Sequence, residues 1–379
     1  MTCAPVVVMC PSVPVLLATL LVAAPAAGSP LGCRDQSGAA VDWYVLYKLP
    51  VIHDTGAPFV SDGVGFLHFS SASTDERWTL SEVSIDDPLS APGRTLADVY
   101  DNPQRDTLIY VFYNDEHPDN STTGVKGHTK GVVAFDGDQG FWLIHSVPKF
   151  PPPPGEQYSY PGNGQTYGQS FLCVTLSSDQ LETVAQQLLF NEPYLYATQL
   201  APALEAQYPL MARVIAGERR SEPPWFGVET LPSGDATFTS YAKARDFGDD
   251  LYSGLVAPTL TTGLFAETWR NGATETQLPS NCSAVEPVLN VQNITATAAG
   301  GPLPFEFGTT KDHSKWAVSD DSTQPWVCVG DVNRMSTQSD RGGGTVCRWD
   351  AVLWRLYSQL VAAVEPCSST GGHRPPARW

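Results

Sequence analysis

Two short units of this 379-residue chain combine a histidine and a lysine at the same spacing. His128-Thr129-Lys130 lies in GHTKGVVAFD, and His313-Ser314-Lys315 lies in DHSKWAVSDD. In a β-strand, side chains two residues apart point to the same face, so each unit would present an imidazole beside an ammonium group. Two such pairs facing one cleft suit a phosphodiester: the lysines neutralise phosphate oxygens, one histidine attacks phosphorus, and the other protonates the leaving oxygen. The alternative is that both histidines are ordinary residues on strand surfaces.

The surroundings of the two units are alike, which indicates a duplicated half-domain. A turn-like stretch follows each unit (DGDQG in the first, SDDSTQ in the second), and a tryptophan-led apolar run comes next. Eleven residues separate Lys130 from Trp142, and ten separate Lys315 from Trp326. We therefore expect a hairpin after each unit and an active site where the two halves meet.

The remaining pattern predicts a mixed fold of strands and helices (α/β or α+β). Alternating and β-branched runs predict strands at 43–48, 108–113, 131–135, 141–145, 171–176, 237–243, 254–256 and 288–294. Helical spacing predicts helices at 178–190 (with Ser178 as N-cap), 200–215 and 350–364. We expect the first half to span residues 31–210 and the second half residues 211–367.

The two ends of the chain are typical of an exported protein. Residues 1–32 carry no charge, and an apolar run at 13–24 precedes small residues, so we predict a signal peptide at 1–30. A membrane anchor is the alternative, although the run is short for one. Residues 368–379 are predicted to be a disordered tail.

Cysteines and sequons also favour the secretory pathway. Six cysteines remain after the signal peptide, and an even number suggests three disulfides, for which spacing alone allows 15 pairings. Predicted glycosylation sites are Asn120, Asn281 and Asn293.

The net charge of −18 is unusual for a protein that binds a polyanion. Near pH 5, however, some carboxylates and most exposed histidines would be protonated, which weakens the repulsion of phosphate. The charge therefore favours either an enzyme that works in acid or a protein that does not bind nucleic acid.

Longer stretches of the chain resemble the deoxyribonuclease II family, the acid endonucleases of lysosomes. The resemblance rests on VDWYVLYKLP (41–50), YND (113–115), GHTKGV (127–132), GFWLIHSVPKFPP (140–152), TYGQS (166–170), FGDDLYSG (247–254), LPSNCS (278–283), DHSKW (312–316), WVCVGDVNR (326–334) and RGGGTVC (341–347). With the flanking cysteines it extends from about residue 33 to 367.

The resemblance implies a phospholipase D-like pseudo-dimer: two similar halves, each a mixed β-sheet flanked by helices, with the active site between them. It implies hydrolysis of double-stranded DNA at acid pH without metal or cofactor, giving 3′-phosphate and 5′-hydroxyl ends. Carried over residue by residue, the catalytic set is His128, Lys130, His313, Lys315 and His145. The implied disulfides are Cys33–Cys173, Cys282–Cys367 and Cys328–Cys347.

The resemblance and the spacing indicate further site residues. His145 would tune a motif histidine or touch the phosphate, or else it is a buried structural residue. Asn333 and Lys149 both lie seven residues after a tryptophan, so both are predicted to bind the substrate phosphate. Asp249 and Asp250 could form an acidic metal site, but a structural turn is the preferred interpretation.

By analogy, His128 is expected to form a phosphohistidine and His313 to act as the acid. DNA is the expected partner, with no stable membrane association; we expect a monomer, with a homodimer as the alternative. The expected destination is the lysosome through the secretory pathway, and the alternative is extracellular. Two other functions stay open: hydrolysis of another phosphodiester such as a lipid, and DNA binding by a relative that has lost catalysis.

Overall fold

The computed structural model describes residues 1–2, 30–301 and 304–367. Most of the predicted signal peptide and all of the predicted tail lie outside these residues. The described chain is a mixed α and β fold with two large sheets, as predicted.

The first sheet is wholly antiparallel and contains eight strands in the order β3-β2-β1-β7-β6-β5-β4-β8. These strands are β1 (Trp43–Lys48), β2 (Phe66–Ser70), β3 (Thr79–Leu80), β4 (Ile109–Tyr113), β5 (Gly131–Phe135), β6 (Gln139–His145), β7 (Gln169–Ser177) and β8 (Leu195–Gln199). Their near-continuous burial follows from runs of Val, Ile, Leu and aromatic residues that are covered on both faces.

The second sheet contains nine strands in the order β13-β12-β11-β14-β15-β16-β10-β9, with β17 beside β12. The strands are β9 (Phe226–Ser233), β10 (Ala236–Lys243), β11 (Leu264–Glu267), β12 (Val288–Ala296), β13 (Phe305–Gly308), β14 (Trp316–Ser319), β15 (Trp326–Gly330), β16 (Gly343–Trp349) and β17 (Val361–Val364). The β11–β12 pair is parallel. The α-helices are α1 (Ala91–Asp101), α2 (Leu181–Asn191), α3 (Pro202–Glu205), α4 (Pro209–Ile215), α5 (Ala257–Leu260) and α6 (Ala351–Ser358).

Five strands recur with the same order and directions in the two sheets. The row β1-β7-β6-β5-β4 of the first sheet matches β10-β16-β15-β14-β11 of the second, and all of these neighbours are antiparallel. The hairpin registers agree at a constant offset of 185 residues, because Val133 pairs with Trp142 and Val318 pairs with Val327. The internal repeat therefore includes much more of the chain than the two hairpins.

The main core lies between the two sheets. One cluster of buried side chains includes Val45 and Val174 of the first sheet together with Phe238, Val318 and Val346 of the second. Removing this much apolar surface from water is the dominant favourable contribution to holding the halves together.

The structure contains the three disulfides that the resemblance implies. They are Cys33–Cys173, Cys282–Cys367 and Cys328–Cys347. Each joins two cysteines of the same half, so the contact between the described halves is noncovalent apart from the connecting chain.

Three predicted elements are wrong in type or extent. Residues 254–256 are not a strand but part of a π-helical turn, Tyr252–Val256, which leads into α5. Tyr252, Leu255 and Val256 are buried at spacings of three and four, which suits a helix, and Asp250 accepts from the Ser253 N–H and Oγ–H at its start.

The helix predicted at 200–215 is two short helices, α3 and α4. Pro209 restricts the preceding Tyr208 to non-helical angles, so the helix cannot continue through this point.

The helix predicted at 350–364 begins after its N-cap Asp350, which accepts from two backbone N–H groups at 2.9 Å, but ends at Ser358. The chain then continues as β17 because an open edge of β12 is available for pairing. At the start of α2, Ser178 is not the N-cap: its hydroxyl donates to the Gly137 carbonyl, and Ser178–Gln180 form a 3₁₀ turn.

Candidate active site

Both His-x-Lys units lie in irregular segments that end where β5 and β14 begin. Only the lysine of each unit joins the ladder: the Lys130 carbonyl accepts from the His145 N–H at 3.3 Å, and the Lys315 carbonyl accepts from the Gly330 N–H at 3.0 Å. The units therefore immediately precede the strands, which agrees with the strand predicted at 131–135, but they do not themselves have the strand geometry that the argument from their spacing assumed.

Within each unit the two side chains nevertheless lie side by side. The Lys315 Nζ is 3.1 Å from the His313 Nδ1. In the first unit, Asp115 joins the pair: it forms a short ion pair with the Lys130 ammonium, and its Oδ2 is 3.7 Å from the His128 Nε2. The two units thus share a spacing but differ in charge environment.

Each half holds the backbone of the other half's histidine. The His128 N–H donates to the Gly342 carbonyl, and the His313 N–H donates to the Gly168 carbonyl, each at 2.8 Å. Both carbonyls belong to glycines that are needed for close approach: a Cβ at Gly168 would lie 2.3 Å from Asp312, and one at Gly342 would lie 2.5 Å from the Asn191 carbonyl. We call these two hydrogen bonds the reciprocal clasps.

The imidazole rings are also oriented from the opposite half. The His128 Nδ1–H donates to the main-chain carbonyl of Asp331 at 2.5 Å. The His313 Nδ1 lies 3.1 Å from the Gln169 Oε1, which also accepts from the Ser146 hydroxyl at 2.6 Å. With Nδ1 occupied in each ring, Nε2 is the nitrogen that is left for chemistry.

Asp331 connects the first unit to the second half through its side chain as well. Its carboxylate accepts from the Thr129 hydroxyl at 2.5 Å and from the Gly344 N–H at 2.9 Å. Burial raises the pKa of Asp331 to about 6, and these hydrogen bonds only partly oppose that effect. This carboxyl therefore changes charge between mildly acidic and neutral pH.

Two buried lysines support the clasps from equivalent strand ends. Lys48 pairs with Gln169, and Lys243 pairs with Gly343, at matching positions of the repeated sheets. The Lys48 ammonium donates to the Gln165 carbonyl at 2.6 Å. The Lys243 ammonium donates to the carbonyls of residues 338, 339 and 341, at 2.9, 2.9 and 2.7 Å. Each lysine thus fixes the loop that carries a clasp carbonyl.

The electrostatics of the site favour neutral imidazoles near neutral pH. Burial, reinforced by the charge of Lys130, lowers the pKa of His128 well below its usual value. Burial and then the charge of Lys315 do the same for His313. The Lys315 pKa is also depressed, by burial and then by the Lys130 charge, which indicates that the two units lie within reach of each other.

Asp115 has the opposite behaviour. Burial alone would raise its pKa, but the charges of Lys130, His128 and Arg341 outweigh burial and hold it well below the usual value. Arg341 comes from the second half, and its guanidinium is 3.2 Å from the Asp115 Oδ2. Asp115 therefore stays ionised and forms ion pairs with Lys130 of the first half and Arg341 of the second.

His145 lies beneath the first unit and is fully buried. Its Nδ1 accepts from the Val147 N–H at 3.2 Å, its ring contacts Phe150 and Phe171, and its Nε2 is buried without a partner among the described residues. Burial and then the charge of Lys130 lower its pKa, which fits a neutral ring that borders Lys130.

The two residues predicted to bind phosphate are in different settings. Asn333 is buried, and its Oδ1 has no partner in the part of the chain that the structure describes. The Lys149 ammonium donates to the Asn120 side chain at 2.8 Å, beside a surface pocket of about 400 Å³. The hairpin register relates Lys149 to Arg334, not to Asn333, because the halves align on their lysines and not on their tryptophans.

Arg334 has a structural partner in the FGDDLYSG stretch. Its guanidinium lies 3.2 Å from Asp250, and both side chains are buried. Among the described residues, no group of three or more His, Cys, Asp or Glu side chains is arranged to hold a metal ion.

Two predicted glycosylation sites, Asn120 and Asn293, are exposed, and Asn281 is partly exposed. No helix in the described ranges is long and apolar enough to cross a membrane.

Comparison with known proteins decides the family. The sequence profile named Deoxyribonuclease II matches residues 32–367. The chain belongs to the deoxyribonuclease II family. This result confirms the resemblance seen in the sequence and the prediction of a deoxyribonuclease.

Individual relatives align over most of the chain. Deoxyribonuclease-2-alpha of Sus scrofa is 39% identical over 362 residues, which cover 93% of this chain and 94% of the relative. Deoxyribonuclease-2 of Caenorhabditis elegans is 38% identical, covering 89% and 94%. Plancitoxin-1 of Acanthaster planci is 38% identical, covering 89% and 93%.

Four residues around the histidine units were not predicted: Asp115, Gln169 and Asp331, which contact the units, and Arg341, which contacts Asp115. All four fall in stretches that carry the family resemblance, YND, TYGQS, WVCVGDVNR and RGGGTVC. Their presence in these stretches was the one indication in the sequence that they could belong to the site. Their contacts could not be anticipated because three of them act on the opposite half.

Proposed function

We propose that this chain is an acid endodeoxyribonuclease that cleaves double-stranded DNA without metal through a phosphohistidine. The observation that carries the proposal is the pair of imidazoles with Nδ1 anchored across the half boundary, each beside a lysine. Membership of the deoxyribonuclease II family supports DNA as the substrate.

In the first step, the His128 Nε2 attacks phosphorus and the bond from phosphorus to O5′ breaks. The His313 imidazolium gives its Nε2 proton to that oxygen, which leaves as the 5′-hydroxyl. Lys130 and Lys315 stabilise the charge on the non-bridging oxygens. In the second step, His313 takes a proton from water, the resulting hydroxide attacks phosphorus, and the P–N bond breaks to release the 3′-phosphate.

The unequal surroundings of the histidines support this division of roles. The carboxylate of Asp115 lies close to His128 and would stabilise the positive ring of a phosphohistidine. The anchor of His313 is the neutral Gln169, and its neighbour Lys315 is a cation, so its imidazolium gives up a proton readily. Because the His313 pKa is depressed, the acid form becomes populated only at low pH, and we expect activity to fall as pH rises towards neutrality.

We assign supporting roles to three further residues. Buried His145 would position Lys130 rather than touch the substrate. Asn333 would donate from its side-chain Nδ2–H group to the phosphate, and Lys149 would contact the DNA backbone at the rim.

The first test is plasmid nicking at pH 5 with excess chelator, comparing the wild type with His128→Ala and His313→Ala. His53→Ala is the matched control, because His53 is an exposed histidine outside the site. We expect nicking by the wild type and the control only, with 3′-phosphate ends that a phosphatase can remove. Cleavage that requires metal, or that survives His128→Ala, would refute the mechanism.

The second test distinguishes the histidine that attacks phosphorus from the histidine that donates the proton. Thymidine 3′-(p-nitrophenyl phosphate) has a leaving group that needs no proton, so His313→Ala should retain most activity on it while His128→Ala should have none. The reverse pattern would exchange the two roles.

We further propose that the protein acts as a monomer in lysosomes, which it reaches through the secretory pathway. Exposed sequons and a site that favours acid conditions support this destination. Microscopy of a tagged chain beside a lysosomal marker, and light scattering of the purified protein, would test the two statements.

A further inference from the structure

An aromatic pair borders the second histidine. The Trp269 ring lies 5.0 Å from the His313 ring, and the Tyr167 ring lies 4.6 Å from Trp269, both in edge-on contacts. Tyr167 comes from the first half and Trp269 from the second, and both rings keep part of their surface open to solvent. His313 is also partly exposed, whereas its neighbour Lys315 is fully buried. The aromatic surface is therefore accessible beside the reactive imidazole.

The repeated sheets show that the position of Trp269 is occupied by a different type of residue in the first half. Tyr113 at the end of β4 pairs with Gly131, and Glu267 at the end of β11 pairs with Trp316, which are equivalent ladder positions. Two residues beyond these strand ends the first half has Asp115 and the second half has Trp269. One histidine thus has a carboxylate at this position, and the other has an indole.

The chemistry of the ligand follows from this asymmetry. With a net charge of −18, the protein has little long-range attraction for DNA, so binding needs contributions that do not depend on charge. Stacking of a nucleobase on an exposed aromatic ring is such a contribution and accepts any base sequence. A carboxylate at the equivalent place beside His128 offers no surface for stacking.

We propose that Trp269 and Tyr167 form a stacking subsite for the nucleobase of the nucleotide that carries the leaving 5′-oxygen. The assignment rests on the proposed function, because His313 protonates that oxygen and its aromatic neighbour therefore faces the leaving nucleotide. DNA then binds with one polarity, with its leaving base on the aromatic side of the cleft.

The test uses single-stranded oligonucleotides that contain one stable abasic residue, with each bond's cleavage rate read from a denaturing gel at pH 5. At the bond on the 5′ side of the abasic residue, the leaving nucleotide has no base. At the bond on the 3′ side, the leaving base is present, so this bond serves as the internal control. We expect the wild type to cleave the 5′ bond about tenfold more slowly than the same bond in intact DNA, and the 3′ bond at nearly the normal rate.

Variants then connect the effect to the tryptophan. Trp269→Ala should slow cleavage of intact DNA and abolish the difference in cleavage rate between the two bonds of the abasic substrate. Trp269→Phe should keep most of that difference. Trp349→Ala is the matched control, because this half-exposed tryptophan is at the end of β16 remote from Gly343. Near-ultraviolet circular dichroism establishes whether each variant folds. If Trp269→Ala does not fold, the bond pattern of Trp269→Phe tests the subsite instead, and a wild-type pattern supports it.

The outcomes separate the two proposals. Equal slowing of both bonds by the wild type, or an unchanged difference in folded Trp269→Ala, would overturn the stacking subsite and leave the nuclease proposal intact. Absence of any DNA cleavage by the wild type would overturn both.

Discussion

Replacement of Asp331 by asparagine should change how the stability of the protein depends on pH. The Asp331 carboxyl is buried, and its pKa is raised from 3.8 to about 6 in the folded chain. A group whose folded pKa is raised binds its proton more tightly in the native state, so native stability is greatest below pH 4 and is lost as pH rises through 6. Since one pKa unit corresponds to about 1.4 kcal/mol, the loss attributable to this carboxyl is about 3 kcal/mol.

The assay is urea unfolding of wild type and Asp331→Asn at several pH values from 4 to 7. The difference between the two proteins is the useful quantity, because titrations of other groups that do not contact Asp331 cancel in it. We expect the free energy of unfolding of the wild type to fall by about 2.4 kcal/mol relative to the variant over this range, because a small part of the full effect is already lost at pH 4. The amide itself adds only a constant offset. A difference that does not change with pH would refute the raised pKa and the account of the site that depends on it.

Three other substitutions test separate contacts. Asp115→Asn should lower the free energy of unfolding by about 3 kcal/mol, because its cationic partners stay buried without a counter-charge; a wild-type urea midpoint would contradict this. Gln169→Glu should move the upper limit of the kcat/KM pH profile upward by about one pH unit, since a carboxylate beside Nδ1 raises the pKa of His313; an unchanged profile would argue against the proton-donor role. Lys243→Met should destabilise the fold by about 3 kcal/mol and lower kcat, because three carbonyls of the Gly342 loop lose a charged donor. Lys48→Met, which frees one carbonyl, should cost less in the same assays, and equal losses would contradict the hydrogen-bond account.

The sequence predicted the central strands well because their signal is local. β1, β4, β5, β6 and β7 are runs of β-branched and aromatic residues bounded by turns, and their predicted limits differ from the observed ones by at most two residues. Residues 254–256 failed because three residues cannot distinguish a strand from a helical turn by periodicity.

The histidine units were visible in the sequence because residue type and spacing are enough to reveal them. Their partners were not, since Asp331 acts on the first unit and Gln169 on the second through contacts between residues far apart in sequence. The true equivalence of the halves was also hidden. Trp142 and Trp326 are the obvious landmarks, yet pairing across the hairpins aligns Trp142 with Val327.

Because of the reciprocal clasps, the arrangement of the two histidines depends on contact between the two halves. Each histidine is fixed by a glycine carbonyl that the other half supplies, so a half that folds by itself has its reactive ring but not the geometry. One disulfide lies in the first half and two lie in the second, and none joins the two halves. Each half would therefore keep its own disulfides if the chain were cut between β8 and β9. We therefore expect nuclease activity only after both halves have docked. Two separately expressed halves should be silent alone and regain nuclease activity when mixed.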